Sequence, residues 1–289
     1  MQILTKNLSF IYSEKSKSLA VSALDGVNLT IPSGEFFGIV GKTGSGKSTF
    51  VQHLNGLIEV QKNRGELWVG DFNLADKKCN FTALRKKVGM VFQYPEYQLF
   101  AETVSEDVSY ALKNFMPSLG EKEVKERVKK ALALVGLDYE KIKDKSPFEL
   151  SGGQKRRVAI AGVLIVEPEV LILDEPAAGL DPAGKKEFLA LLKAVHQSFV
   201  KTIVIVSHDM DLIAEYCTNL AVFSQGKILK NGTPKEIFLD KDLVSSAELE
   251  LPLIAKATLK LKEKTEFEPK DLTVASFISE YKKLIGGKR

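Results

Sequence analysis

Apolar residues along this chain gather into short unbroken runs, separated by stretches in which they recur every three or four positions. The runs EFFGIV before Gly41, VGMVF before Gln93, VLIL before Asp174 and TIVIV before Ser207 show no polar alternation. Such runs mark strands covered on both faces. Helical spacing appears in STFVQHLNGLI and KKEFLALLKAVHQSF. This alternation predicts an α/β core with a mainly parallel sheet. The most apolar stretch, VAIAGVLIVEPEVLIL, is broken by Glu167, Pro168 and Glu169 and falls short of a bilayer span. Near the end, Val274, Phe277, Ile278, Tyr281 and Ile285 keep helical spacing, with Gly286 and Gly287 placed to stop the helix. A stripe of this kind is expected to pack on its own domain.

In open α/β sheets ligands bind beyond the carboxyl ends of the strands, and polar residues stand at the end of each apolar run. The first leads into Gly41-Lys42-Thr43-Gly44-Ser45-Gly46-Lys47-Ser48-Thr49, a P-loop between strand and helix. Its glycines let successive N–H groups turn toward phosphate oxygens, and the following helix adds its dipole. Lys47 is placed to reach the β- and γ-phosphates, and the Ser48 hydroxyl to ligate Mg²⁺. The third run ends at Asp174, suited to Mg²⁺, followed by Glu175, suited to polarise an attacking water. His208, after the fourth run, can touch the γ-phosphate or hold that water. His53 and His196 lie within helical segments and are read as structural. Nucleoside triphosphate binding follows from these residues.

A second glycine-rich helix start, LSGGQKRR at Leu150–Arg157, could also face a phosphate. LSGGQ resembles the signature of ATP-binding cassette (ABC) ATPases. The order of P-loop, Gln93, signature, LILDE, AGLD at Ala178–Asp181 and His208 matches that family over residues 1–238. The resemblance implies an ABC nucleotide-binding domain at 1–238. It would have a mainly parallel core sheet, an antiparallel β portion and an inserted helical subdomain near 94–165, with a C-terminal helical accessory extension at 239–289. It further implies that two such domains pack head to tail. Each ATP would then lie between one P-loop and the opposing Ser151, Gly152, Gly153 and Gln154, with Asp181 nearby. Arg156 and Arg157 are expected to be exposed helical charges. Tyr12 matches the aromatic that stacks on adenine in the family, although Phe10 shares its strand face and either ring could instead pack in the core. Gln93 is implied at Mg²⁺ or the water. The segment after it, YPEYQLFAETV, would dock a membrane subunit, with Pro95, Tyr97, Leu99 and Phe100 as candidate contacts, some of which are expected to pack inside the helical subdomain instead.

The wording is closer still to the ATPases of energy-coupling factor transporters, the QYPE-QLF form resembling their second ATPase type. Those transporters import vitamins or transition-metal ions, and the resemblance implies that the C-terminal extension with its apolar stripe helps hold the two ATPases together when nucleotide leaves. The resemblance implies a peripheral subunit at the cytoplasmic face of the membrane. Its partners would be a second ABC ATPase (a heterodimer rather than a homodimer), a transmembrane coupling subunit and a small membrane substrate-binding subunit. Two departures are Ala177, where threonine or serine is commoner, and the stretch SEKSKSLAVSA after Tyr12. A conventional ABC transporter subunit, or a soluble ABC ATPase acting on ribosomes or nucleic acid, stays open as an alternative.

Composition adds exclusions. The 289 residues carry 41 Lys and Arg against 37 Asp and Glu, a formal charge of +4 spread along the chain. That balance argues against a nucleic-acid partner. The two cysteines, Cys79 and Cys217, have no metal-type spacing. One P-loop and no sustained heptads argue against the soluble relatives, and the start MQILTKNLSFIY lacks a signal-peptide pattern.

Overall fold

The computed structural model describes residues 1–13 and 20–286. The chain opens with long strands β1 (Ile3–Ser13) and β2 (Ala20–Ile31), which pair antiparallel, followed by the buried strand β3 (Phe36–Val40). After β3 comes helix α1 (Lys47–Leu54), then short strands β4 (Glu66–Val69) and β5 (Phe72–Asn73). Helix α2 (Phe81–Lys87) leads directly into β6 (Val88–Val91).

Next come α3 (Val104–Phe115), α4 (Glu121–Leu134), α5 (Tyr139–Ile142) and α6 (Gly152–Leu164). The α/β alternation resumes with β7 (Val170–Asp174), α7 (Pro182–Ser198), β8 (Thr202–Val206), α8 (Met210–Tyr216), β9 (Asn219–Ser224) and β10 (Lys227–Gly232). Four helices close the chain: α9 (Pro234–Phe238), α10 (Lys241–Ser246), α11 (Leu253–Lys262) and α12 (Val274–Gly286).

The four apolar runs become β3, β6, β7 and β8, neighbours in a six-stranded sheet of order β10-β9-β3-β8-β7-β6. All pairs are parallel except β10 with β9. The runs are continuous because each face of the sheet meets its own core. Leu171, Leu173, Ile203 and Ile205 enter a core shared with α3, α4, α6 and α7. The alternate residues Val170, Ile172, Val204 and Val206 enter another, shared with α1 and the antiparallel sheet β2-β1-β4-β5. Period-two side-chain alternation divides the run between two apolar environments, leaving no polar position.

The residues past 239 join the first of these cores. Ala247, Ala255 and Leu272 are buried in it beside Ile237 and Phe238. Asp211 Oδ1 accepts from the Leu253 N–H at 2.6 Å, and Glu215 Oε2 from the Val274 N–H at 2.8 Å. The expected stripe on α12 lies largely outside that packing. Phe277 meets Phe267 with centroids 4.9 Å apart, while Val274, Ile278, Tyr281 and Ile285 are exposed. Gly287 lies outside the described residues, as do positions 14–19 of the stretch after Tyr12. Among the described residues no helix is long and apolar enough to cross a membrane.

Candidate nucleotide site

The C-terminal ends of β3, β6, β7 and β8 face one open cavity of about 1000 Å³. Tyr12, Thr43, Gly44, Gly46, Lys47, Ser48, Thr49, Gln93, Asp174, Glu175 and His208 all line it. The loop after β3 owes its shape to glycine at two positions above all. Gly46 sits at φ +103° against the Ala23 carbonyl, which an added Cβ would meet at 2.3 Å. Gly41, at φ +142°, is crowded in the same way by the Phe223 carbonyl. An L side chain is strained in that backbone region even in open space. Helix α1 then starts with no side-chain cap on its N-terminus, leaving its first N–H groups free for an anion.

Lys47 is buried, and its ammonium donates to the Gly41 and Lys42 carbonyls at 2.6 and 2.8 Å. Burial lowers its pKa, while Glu175 and Asp174 pull it back up. Asp174 is buried with Oδ1 unpartnered. Burial pushes its carboxyl above the usual range, against the Ser48 hydroxyl and Lys47. Glu175 follows at φ +50°, its N–H donating to the Val206 carbonyl at 3.0 Å. Burial raises its pKa too. The His208 N–H donates to Glu175 Oε2 at 3.3 Å, and His208 Nε2 lies 3.1 Å from Glu175 Oε1. Burial and Lys47 hold the His208 imidazole below its ordinary pKa, so it is neutral near neutral pH. An uncharged imidazole thus stands beside a carboxylate that burial makes more basic, an arrangement suited to orienting and activating water.

Ser151 to Gln154 are not brought to this cavity. Ser151 caps α6 in a capping box with Gln154: the Gln154 N–H donates to Ser151 Oγ, and the Ser151 N–H to Gln154 Oε1 at 3.1 Å. A Cβ on Gly152 or Gly153 would meet nothing within 4 Å, so neither glycine is required by packing within this chain. Asp181 is exposed and caps α7 through the Gly184 N–H at 2.6 Å.

Two expectations, for Arg156 and for the α12 stripe, are corrected, and the docking candidates divide. Arg156 is buried rather than an exposed charge, its guanidinium donating to the Pro176 carbonyl and to the Ala178 carbonyl at 2.9 Å. It joins the signature helix to the segment after Glu175. Only Arg157 is partly exposed, paired with Glu187. Of the four docking contacts, Pro95 and Leu99 are buried; Tyr97 and Phe100 point outward, at 84% and 60% exposure. The α12 stripe is largely uncovered. Sequence reasoning also missed that Glu250, Leu251, Pro252, Leu253 and Lys256 line the cavity, and that Glu248 forms an ion pair with Lys42 of the P-loop. No periodicity signals a contact between residues so far apart.

The geometry is that of a P-loop ATPase, with a carboxylate–histidine pair, Glu175 and His208, in the same cavity as the P-loop. The family model described as ABC transporter matches residues 24–178, and the chain belongs to that family. Among its relatives, the energy-coupling factor transporter ATP-binding protein EcfA2 of Clostridioides difficile is 49% identical over 265 residues, covering 91% of this chain and 90% of that one. The EcfA2 of Symbiobacterium thermophilum is 44% identical over 290 residues, covering 100% and 98%. Among solved structures, cbiO1 of Clostridium perfringens, part of the ABC transporter complex cbiONQ, superimposes with a TM-score of 0.71 at 39% identity, covering 88% of this chain and 97% of that one. A dimeric ATP-binding cassette in a post-hydrolysis state bound to ADP and Pi has a TM-score of 0.71 at 29% identity, covering 80% and 98%.

Proposed function

We propose that this chain hydrolyses ATP as the second-type ATPase of an energy-coupling factor importer, driving uptake of vitamins or transition-metal ions from the cytoplasmic face of the membrane. One observation carries the reading. The chain contains a complete phosphate cradle with its carboxylates and histidine, and a separate exposed signature whose glycines have no packing role inside the chain. A nucleotide held by the first and closed over by the second needs two ATPases. Asp181 is exposed as well, and the partner in this reading is a paralogous ATPase rather than a second copy.

Mg²⁺ fits the donor set. Among the described residues no three His, Cys, Asp or Glu side chains cluster, but an ion bound with nucleotide needs only one or two carboxylates. The unpartnered Asp174 Oδ1, Ser48 and Gln93 would hold it. When bound, it would neutralise charge on the β- and γ-phosphate oxygens. Lys47 would leave the Gly41 and Lys42 carbonyls for those phosphates. Glu175 accepts a proton from water that His208 orients for in-line attack. Tyr12 supports the adenine.

The exposed Tyr97 and Phe100 are the side chains through which Tyr94–Phe100 meets a transmembrane coupling subunit. A separate groove of about 260 Å³ is lined by Asn55, Leu57, Arg85, Met90, Phe92 and Phe115, and closure of the ATPase pair would move the docking surface. The uncovered stripe of α12 holds the two ATPases together when nucleotide leaves. The small substrate-binding membrane protein completes the assembly.

The test is gentle extraction of the tagged chain from its native membrane. Recovery of a second cassette ATPase with a coupling membrane protein supports the reading. Recovery of a conventional permease pair changes the branch, and ribosomes or nucleic acid without any membrane protein overturn the function.

A further inference from the structure

The residues behind Tyr12 form a closed circuit between β1 and α1. His53 lies one helical turn beyond Thr49, wholly buried, with Nδ1 2.7 Å from the Thr49 carbonyl oxygen. That carbonyl can only accept, so Nδ1 carries the proton and Nε2 is a bare acceptor. Nε2 is buried and has no partner. Burial lowers the imidazole pKa and so disfavours its cation, while the Thr49 carbonyl sets the tautomer. The His53 ring meets Phe10 edge-on at 4.9 Å, and Phe10 meets Tyr12 edge-on at 4.7 Å. The Tyr12 hydroxyl closes the circuit at 3.2 Å from Thr49 Oγ1. Only Tyr12 of the three rings lines the nucleotide cavity.

Packing alone does not account for a histidine here. An aliphatic side chain of similar volume would fill the site without burying an unpaired acceptor. The strand, meanwhile, does not fix its own side chains at this point. The pairing of β1 with β2 shifts register between Leu8 and Phe10 and again between Phe10 and Ile11. Gln61 holds the Ile11 backbone on both its N–H and its carbonyl, but nothing in the ladder sets the planes of the neighbouring rings. The edge-to-face contacts do, and such contacts have a preferred geometry.

We infer that His53 is a positioning residue for the nucleotide base: anchored on Thr49, it holds Phe10 edge-on, and Phe10 holds Tyr12 in the plane on which the base stacks. This rests on the reading of Tyr12 as the base platform. Because Thr49 adjoins Ser48 of the P-loop, the circuit ties the base platform to the phosphate cradle.

The test compares ATP with inorganic tripolyphosphate, which has no base, by calorimetry on the full chain. His53→Leu and Phe10→Leu should each weaken ATP binding about threefold to tenfold, approaching the loss in Tyr12→Ala, and leave tripolyphosphate binding unchanged. Because all three variants act through one contact, Tyr12→Ala combined with His53→Leu should bind ATP no more weakly than Tyr12→Ala alone. Equal weakening of both ligands makes His53 a structural residue of the P-loop helix and overturns the inference. So does an unchanged ATP affinity in His53→Leu while Tyr12→Ala is impaired. If Tyr12→Ala itself binds ATP normally, the platform reading falls first and takes the inference with it. Should His53→Leu fail to fold, Phe10→Leu carries the same comparison.

Discussion

Arg156→Met removes the tie between the signature helix and the segment that follows Glu175. The guanidinium donates two hydrogen bonds, to the Pro176 and Ala178 carbonyls, and the residue as a whole is 5% exposed. Its charge also faces Glu96, whose Oε2 is buried without a partner. Hydrogen bonds from a charged donor contribute about 1.5–3 kcal/mol each. Against this, methionine fills much of the volume and ends the cost of burying a cation whose Nε is itself unpartnered. The net loss is therefore about 2–4 kcal/mol, below the sum of the two bonds. For a chain of this size that corresponds to a melting temperature lower by roughly 4–10 °C. Turnover should fall by about tenfold or more, since Pro176 and Ala178 lie one and three residues after Glu175, the proposed general base. Arg156→Lys keeps the charge beside Glu96 but cannot span two carbonyls two residues apart, so it should fall between the two. Differential scanning fluorimetry and a phosphate-release assay read both quantities. A melting temperature and turnover in Arg156→Met equal to those of the parent would refute the reasoning.

Other substitutions separate the remaining roles. Glu175→Gln should abolish turnover and preserve ATP-dependent association, measured by size-exclusion chromatography with and without ATP; parent-like turnover would remove Glu175 from the chemistry. Glu169 accepts from Lys201 at 3.0 Å with Lys87 at 3.3 Å, and Lys201 in particular holds its carboxyl below the ordinary range. Its stabilisation is complete above the unfolded carboxylate pKa and is lost as pH falls through the depressed folded value. Both lysines are largely exposed, so Glu169→Gln should cost about 1 kcal/mol or less at neutral pH and nothing in strong acid, as denaturant titrations at the two pH values would show. Truncation after Asp240 would strip Ala255, Phe267 and Leu272 from the core, so Ile278→Asp with Ile285→Asp is the cleaner probe of α12. It should abolish nucleotide-free association of the two ATPases without lowering the melting temperature; intact association by ultracentrifugation would reject that role. A photocrosslinker at Tyr97, better exposed than Glu96, should capture a membrane chain, and failure to capture any would count against docking there.

What this chain's sequence determined by itself was whatever is written locally. Four unbroken apolar runs specify β3, β6, β7 and β8, because a strand sandwiched between two cores needs no polar position. Gly41 to Thr49 specify the phosphate loop, because few residue types tolerate its backbone. Asp174, Glu175 and His208 were legible because parallel topology sends every strand end to one edge. The tertiary structure alone decided matters that depend on distant segments. Arg156 and Arg157 are neighbours with opposite fates, since α6 is packed around most of its circumference and carries no clear amphipathic pattern that would tell its buried side from its exposed one. Pro95 and Leu99 turn inward while Tyr97 and Phe100 turn outward, because Tyr94 adopts a left-handed backbone at φ +56° and the short turn after it divides the apolar residues between two sides. Glu248 reaches Lys42, and His53 reaches Tyr12 through Phe10, across separations no periodicity encodes. Burial and partner choice are properties of the packed surface as a whole, and they exist only once the elements have met.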